Sequence, residues 1–238
     1  NGIVVGLNNT CRKYNSSAFG EENNTAGRNN MVWGKSNTMT ENAAENTAWG
    51  LSNSCNGGRA TAWGTDNSVN WVNGTVFGKN NSVSHEQGLG FGQQNVSKNV
   101  NATVFGLRNE SSGEQSTAFG QDVSATELNS TAFGKQTIAS GEQSTAFGLT
   151  TLASHNQSVA WGESTKAKDK KNTTAFGQLT TARGTNATAF GKNTLASEAQ
   201  AVAWGISGEA TGVNSTAFGE DVSATALNST AFGKSTLA

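Results

Sequence analysis

An aromatic–glycine pair recurs every 14 residues along this chain, and that period constrains what it can fold into more than any other feature. The glycines are Gly6, Gly20, Gly34, Gly50, Gly64, Gly78, Gly92, Gly106, Gly120, Gly134, Gly148, Gly162, Gly177, Gly191, Gly205, Gly219 and Gly233. Every interval is 14 residues except Gly34 to Gly50, which is 16, and Gly162 to Gly177, which is 15. All 11 phenylalanines directly precede one of these glycines, as do five of the six tryptophans: Trp33, Trp49, Trp63, Trp161 and Trp204. Repetition at a fixed period is the signature of a solenoid.

Other positions keep the same phase. Five residues before the glycine stands Asn or Gln in most repeats, as at Asn73, Gln115, Asn129 and Asn228. Three residues after it the first eight repeats carry Asn, from Asn9 to Asn109, and later ones mainly Thr, as at Thr137 and Thr151. Five residues after it the last nine repeats carry Ala, from Ala125 to Ala238. The chain therefore reads as a single domain, 1–238, with sub-blocks of about 1–119 and 120–238 built on one architecture.

Fourteen residues are too few for a helix pair, which needs more than about 30. They suit two strands joined by two tight turns. The segment Ser-Thr-Ala-Phe-Gly alternates small and large side chains with the period of a strand. The glycine after the aromatic fits a turn with positive φ or a close backbone approach. Stacked coils form parallel sheets in which like side chains align about 4.8 Å apart. The reading is all-β, with stacked aromatics, Asn/Gln and Thr columns able to form hydrogen-bonded ladders, and a rod on the order of 80 Å long.

Composition supports order through pattern rather than through hydrophobicity. Only 34% of residues are hydrophobic and there is no proline, values that would otherwise suggest disorder. The net charge of −1 provides no basic field for nucleic acid and no polybasic membrane patch. No run of about 20 apolar residues exists, and no signal peptide is visible, so signal and membrane anchor are expected outside this segment. With one large apolar side chain per coil, a lone roll buries little, so a homo-oligomer sharing a second apolar face along the rod axis is expected.

The segment Asn214-Ser215-Thr216-Ala217-Phe218-Gly219, repeated at Asn228 to Gly233, resembles the N-S-V-A-I-G strand of YadA-like heads. The following Thr236-Leu237-Ala238 is similar to that family's S-x-A. The resemblance covers essentially the whole chain and implies a trimeric autotransporter adhesin. It further implies a left-handed parallel β-roll, a homotrimer, and type V export to the bacterial surface with an anchor in the outer membrane. The expected function is adhesion and virulence, with carcinoembryonic-antigen-related cell adhesion molecules (CEACAMs) as the favoured receptor and collagen, fibronectin or laminin as the alternative. This chain departs from the family pattern in placing Phe or Trp where Ile or Val is usual.

Receptor contact is expected at Trp71, Val72, Tyr14, Glu41, Asn42, Lys168 and Lys170. Trp71 is the one tryptophan outside the repeat position, and Tyr14 is the only tyrosine. Aromatics of this kind anchor protein interfaces. Glu41 and Asn42 lie in the longest repeat, and Lys168 and Lys170 in the other irregular one; extra residues in solenoids emerge as loops.

No catalytic, metal or cofactor site is expected, and the chain does not read as an enzyme. Cys11 and Cys55 share a column but stand three coils apart, about 14 Å, too far for an intrachain disulfide. A small buried thiol is expected at each. His85 and His155 are five coils apart in a turn column and cannot share a metal. Glu114 and Glu142 form no useful carboxylate pair. An ice-binding solenoid would need exposed Thr-x-Thr pairs, whereas Thr216 shares its strand face with Phe218, which is expected to be buried. A left-handed acyltransferase helix would use about 18 residues per coil. A phage fibre has similar physics and is the remaining distant alternative.

Overall fold

The computed structural model describes residues 2–40 and 44–238. It comprises two compact units, Asn1–Gln121 and Asp122–Ala238. Each is an all-β parallel solenoid built from one repeated coil. In the first unit a coil consists of a five-residue strand such as Thr61–Thr65, a corner, a two-residue strand such as Ser68–Val69, and a turn leading to the next long strand, Thr75–Lys79. The second unit repeats the plan with Thr145–Leu149, Leu152–Ala153 and Val159–Glu163.

Long strands pair only with long strands, parallel and in register. Thr61, Ala62, Trp63 and Gly64 lie beside Thr75, Val76, Phe77 and Gly78. Short strands do likewise, with Ser68 and Val69 beside Ser82 and Val83. The irregular repeats keep this register: Trp33 lies beside Trp49, and Trp161 beside Phe176. In the repeat from Gly162 to Gly177 the extra residue falls between Lys166–Ala167 and Thr174–Gln178, in a turn, where a solenoid tolerates it.

The repeat glycine is required twice over. At Gly78 φ is +121°, and a Cβ there would lie 1.9 Å from the carbonyl oxygen of Gly92 in the next coil. Positive φ also recurs at two non-glycine corners per coil, for example Asp66 and Asn73, both near +55 to +60°. Asn is the residue that best tolerates this left-handed region without a glycine. The Asn/Gln column five residues before the glycine is this corner, so its identity reflects backbone conformation. Amide pairs such as Asn214 with Asn228, at 3.1 Å, add to it on the surface.

The interior is thin. From the strands Ser17–Glu21 and Asn24–Thr25 onward, the second residue of each long strand and the second residue of each short strand are buried, as at Val76 and Val83 or Ala146 and Ala153. The first unit uses Val32, Met39, Cys55, Val69, Val76 and Val83; the second is lined almost wholly by alanine. Larger core residues are offset by smaller neighbours. A Cβ on Gly74 would meet Val69 Cγ1 at 2.6 Å.

Two expectations are corrected. The aromatics are not buried inside the roll: Phe218 is 40% exposed while its neighbour Ala217 is fully buried. Side chains alternate across a strand, and the narrow interior accepts only the small residue, so the ring and Thr216 share the outer face. Nor does the Thr column form a ladder. The hydroxyls of Thr137, Thr151, Thr180 and Thr194 are buried without a protein partner, and only Thr165 reaches an acceptor, the Gly177 carbonyl at 3.2 Å. A hydroxyl is too short to span the space an amide fills.

The Asn column does form a ladder. Asn67 Nδ2 donates to Asn53 Oδ1 at 3.0 Å, to the Trp63 carbonyl at 3.1 Å and to the Gly78 carbonyl at 2.8 Å. Its Oδ1 accepts from the Asn81 amide at 3.0 Å.

Two substitutions test this account. Gly78→Ala is expected to abolish cooperative folding, read as loss of the β-sheet circular dichroism signal. Asn67→Ala is expected to destabilise by about 3 kcal/mol, because it strands buried backbone groups, whereas Thr151→Val is neutral or stabilises by about 1 kcal/mol. Thermal melts of the two variants give that contrast.

Candidate interaction surfaces

Within each unit the outward rings form a continuous stack. From Phe19 to Phe119 successive centroids are 4.7–5.9 Å apart, and Trp49 and Trp63 are parallel to within 2°. From Phe133 to Phe232 the spacing is 4.6–5.7 Å, with tilts of about 40° wherever Trp meets Phe. Strand spacing fixes this distance, which falls in the range of favourable ring contacts. Much of each ring stays open, as at Trp63 with 45% exposure. A contiguous apolar face of this extent marks an association surface. It also lacks the Thr-x-Thr pattern of an ice-binding face, because the aromatic occupies the second outward position.

The turn between short and long strands forms a separate column, and most residues singled out from the sequence lie on it. Trp71 is exposed and its neighbour Val72 partly so. Trp71 stacks on His85, one coil further on, at 6.1 Å and 16°. That pairing was available from the sequence, since the two residues are 14 apart. Tyr14 is exposed and lines an open groove of about 520 Å³ with Arg12, Lys13 and Arg28. Those cations were missed from the sequence, although the period aligns Arg28 with Tyr14. Lys168 and Lys170 flank Asp169, whose carboxylate lies 3.8 Å from both Lys168 Nζ and Arg183 Nε. Lys170 and Arg183 line a groove of about 340 Å³. Tyr14 and Trp71 stand on different coils of the first unit, and Lys168 and Lys170 belong to the second. Glu41 and Asn42 fall outside the described residues.

His85 and His155 are exposed turn residues. Among the described residues no group of three or more His, Cys, Asp or Glu could hold a metal ion. Cys11 and Cys55 are both free thiols. Cys55 is fully buried, but Cys11 is only half-buried, which corrects the expectation of two buried thiols. Burial pushes the Cys55 thiol up to about 12, because the apolar interior disfavours the thiolate.

Thin, in-register β-solenoids of this kind are extended scaffolds that present columns of side chains to other molecules. The YadA head domain repeat matches residues 97–122, 125–151, 139–163, 169–194, 182–205 and 210–236, more than half of the chain. The chain belongs to the YadA head family and is an adhesin head of the bacterial surface. No curated protein matches it. The matched segments from residue 125 onward lie where Ala and Thr dominate the inner columns, whereas 97–122 still carries Val104 and Asn109 there. The part before residue 97 carries Val, Met, Cys and Asn in those columns.

Because burial raises the Cys55 thiol to about 12, very little of it is thiolate at pH 8, and Cys55 is expected to resist iodoacetamide at that pH in the folded protein. It should be alkylated once the protein is unfolded in guanidinium. Peptide mass spectrometry distinguishes the two states.

Proposed function

We infer that this chain is the receptor-binding head of a trimeric autotransporter adhesin, working as one domain. Three copies pack their aromatic faces about a common axis in left-handed rolls, and the turn columns face outward to meet the host. The observation that carries this reading is the uninterrupted run of half-exposed rings along one face of each unit. Such a face is poorly tolerated in water, and cyclic association of identical chains covers it by repeating one contact. Family membership supports the surface location and the trimer. An outer-membrane anchor and type V export go with that placement.

For the receptor, CEACAMs are favoured and collagen, fibronectin and laminin are the alternative. Trp71, Val72, Tyr14, Lys168 and Lys170 are the contact residues proposed, with Glu41 and Asn42 in the longest repeat. An exposed aromatic with a polar surround is the side-chain type that dominates interface energetics.

Analytical ultracentrifugation is expected to give the mass of three chains. Phe105→Ala should destabilise the assembly by about 3 kcal/mol per chain. Phe105→Glu should yield monomers that retain a β-sheet spectrum. A wild-type protein that sediments as one chain at micromolar concentration overturns the reading. Surface plasmon resonance against immobilised CEACAM ectodomains, collagen, fibronectin and laminin identifies the receptor class. Binding to matrix proteins alone would displace the CEACAM assignment.

A further inference from the structure

Trp71 differs from the other five tryptophans in its surroundings. Those five stand in the aromatic stack, on the outer face of the long strands. Trp71 stands on the turn after Ser68–Val69, is 53% exposed, and is outside that stack. A sister chain covering the stacked rings would therefore engage a different column from the one that carries Trp71.

The coils on either side of Trp71 are unlike. Toward the next coil, its indole lies nearly parallel to the His85 imidazole, at 6.1 Å and 16°. Toward the preceding coil, the same turn is Gly57-Gly58, which carries no side chain. At Gly57 the backbone enforces that bareness, since a Cβ there would lie 2.1 Å from the Trp71 carbonyl oxygen. One face of the indole is thus backed by an aromatic ring and the other opens over two glycines.

The rim of this open face is polar. Asn56 Nδ2 donates to Asn70 Oδ1 at 2.9 Å, and Ser68 Oγ donates to the same oxygen at 3.1 Å, which leaves Asn70 Nδ2 as an exposed donor. Directly after Gly57-Gly58 in the chain, Arg59 pairs with Glu45 at 3.0 Å in an exposed ion pair.

A flat apolar plate bordered by the amides of Asn56 and Asn70 matches a hexopyranose. Such a ring has one face of C–H groups and a perimeter of hydroxyls. Its C–H face gains dispersion and quadrupole attraction on an indole, and its hydroxyls replace water at the rim. An aliphatic protein side chain would gain from the plate but not from the rim. We propose that Trp71, backed by His85 and opened by Gly57-Gly58, is a stacking site for a pyranose of host cell-surface glycans. The host-cell part of this inference rests on the adhesin reading above.

The test uses the purified protein and printed oligosaccharides ending in galactose, N-acetylglucosamine, mannose or fucose. At least one is expected to bind. Trp71→Ala should weaken that binding tenfold or more, and Trp71→Phe only a few-fold, with thermal melts unchanged because the residue is on an exposed turn. His155→Ala, on a turn elsewhere, should leave binding intact. Saturation-transfer NMR should show the sugar C–H protons receiving magnetisation in wild type and not in Trp71→Ala. Failure to bind any of these sugars, or equal binding by Trp71→Ala, overturns the proposal. So does adhesion to host cells that depends on Trp71 but survives enzymatic removal of their glycans, an outcome that would assign the plate to a protein partner. Trp71-dependent sugar binding by a protein that adheres to no host cell would sustain the glycan site and overturn the adhesin reading instead.

Discussion

The approach of one glycine to the carbonyl of the glycine 14 residues later governs the rest of this molecule. At Gly78 the distance leaves no room for a methyl group, and the positive φ suits no larger residue. With each coil seated this closely on the next, the backbone pairs in register, and every side-chain type is carried into a column. The stacked rings, the Asn ladder and the row of buried alanines all follow from that seating. Individually weak contacts become useful because each is repeated by the same backbone spacing.

Close seating also makes the interior too narrow for a ring. Ala, Val and a single amide or hydroxyl fill it, and the aromatics alternate to the outside. The two units solve the inner polar column differently. Asn spans the gap and binds backbone oxygens of its own coil and the next, as Asn67 does with Trp63 and Gly78. Thr151 occupies the equivalent place and makes no such bond. The first unit therefore combines larger apolar residues with satisfied amides. The second relies on compact alanine packing and tolerates buried hydroxyls. The match to the YadA head repeat spans both plans, since its segment 97–122 lies, but for the last residue, in the first unit and the others in the second.

The proposed function assigns separate columns to separate tasks. The outer face of the long strands is apolar, continuous and repetitive, which suits contact between identical copies. The turns are polar and vary from coil to coil: Gly57-Gly58, Trp71-Val72 and His85-Glu86 succeed one another with no common chemistry. Variation at a rigidly spaced turn can change recognition without disturbing the stack beneath it, which is how solenoids commonly acquire binding surfaces.

The period of 14 determined the coil, the parallel pairing and the columns, because a side chain's neighbours in a solenoid are set by sequence offset alone. The same offset placed Trp71 beside His85 and Arg28 beside Tyr14, although those pairs were visible only to a column-by-column reading. Three matters were decided by the tertiary structure. Phe218 lies outside rather than inside because the distance between the two sheets, which no pattern states, admits Ala217, or at most a Val or Met elsewhere, and not a ring. The Asn/Gln corner reflects left-handed backbone, since a recurring amide in sequence does not distinguish a ladder from a favoured φ. The Thr column is silent because reaching an acceptor depends on side-chain length against an ångström-scale gap, and composition carries no such measurement.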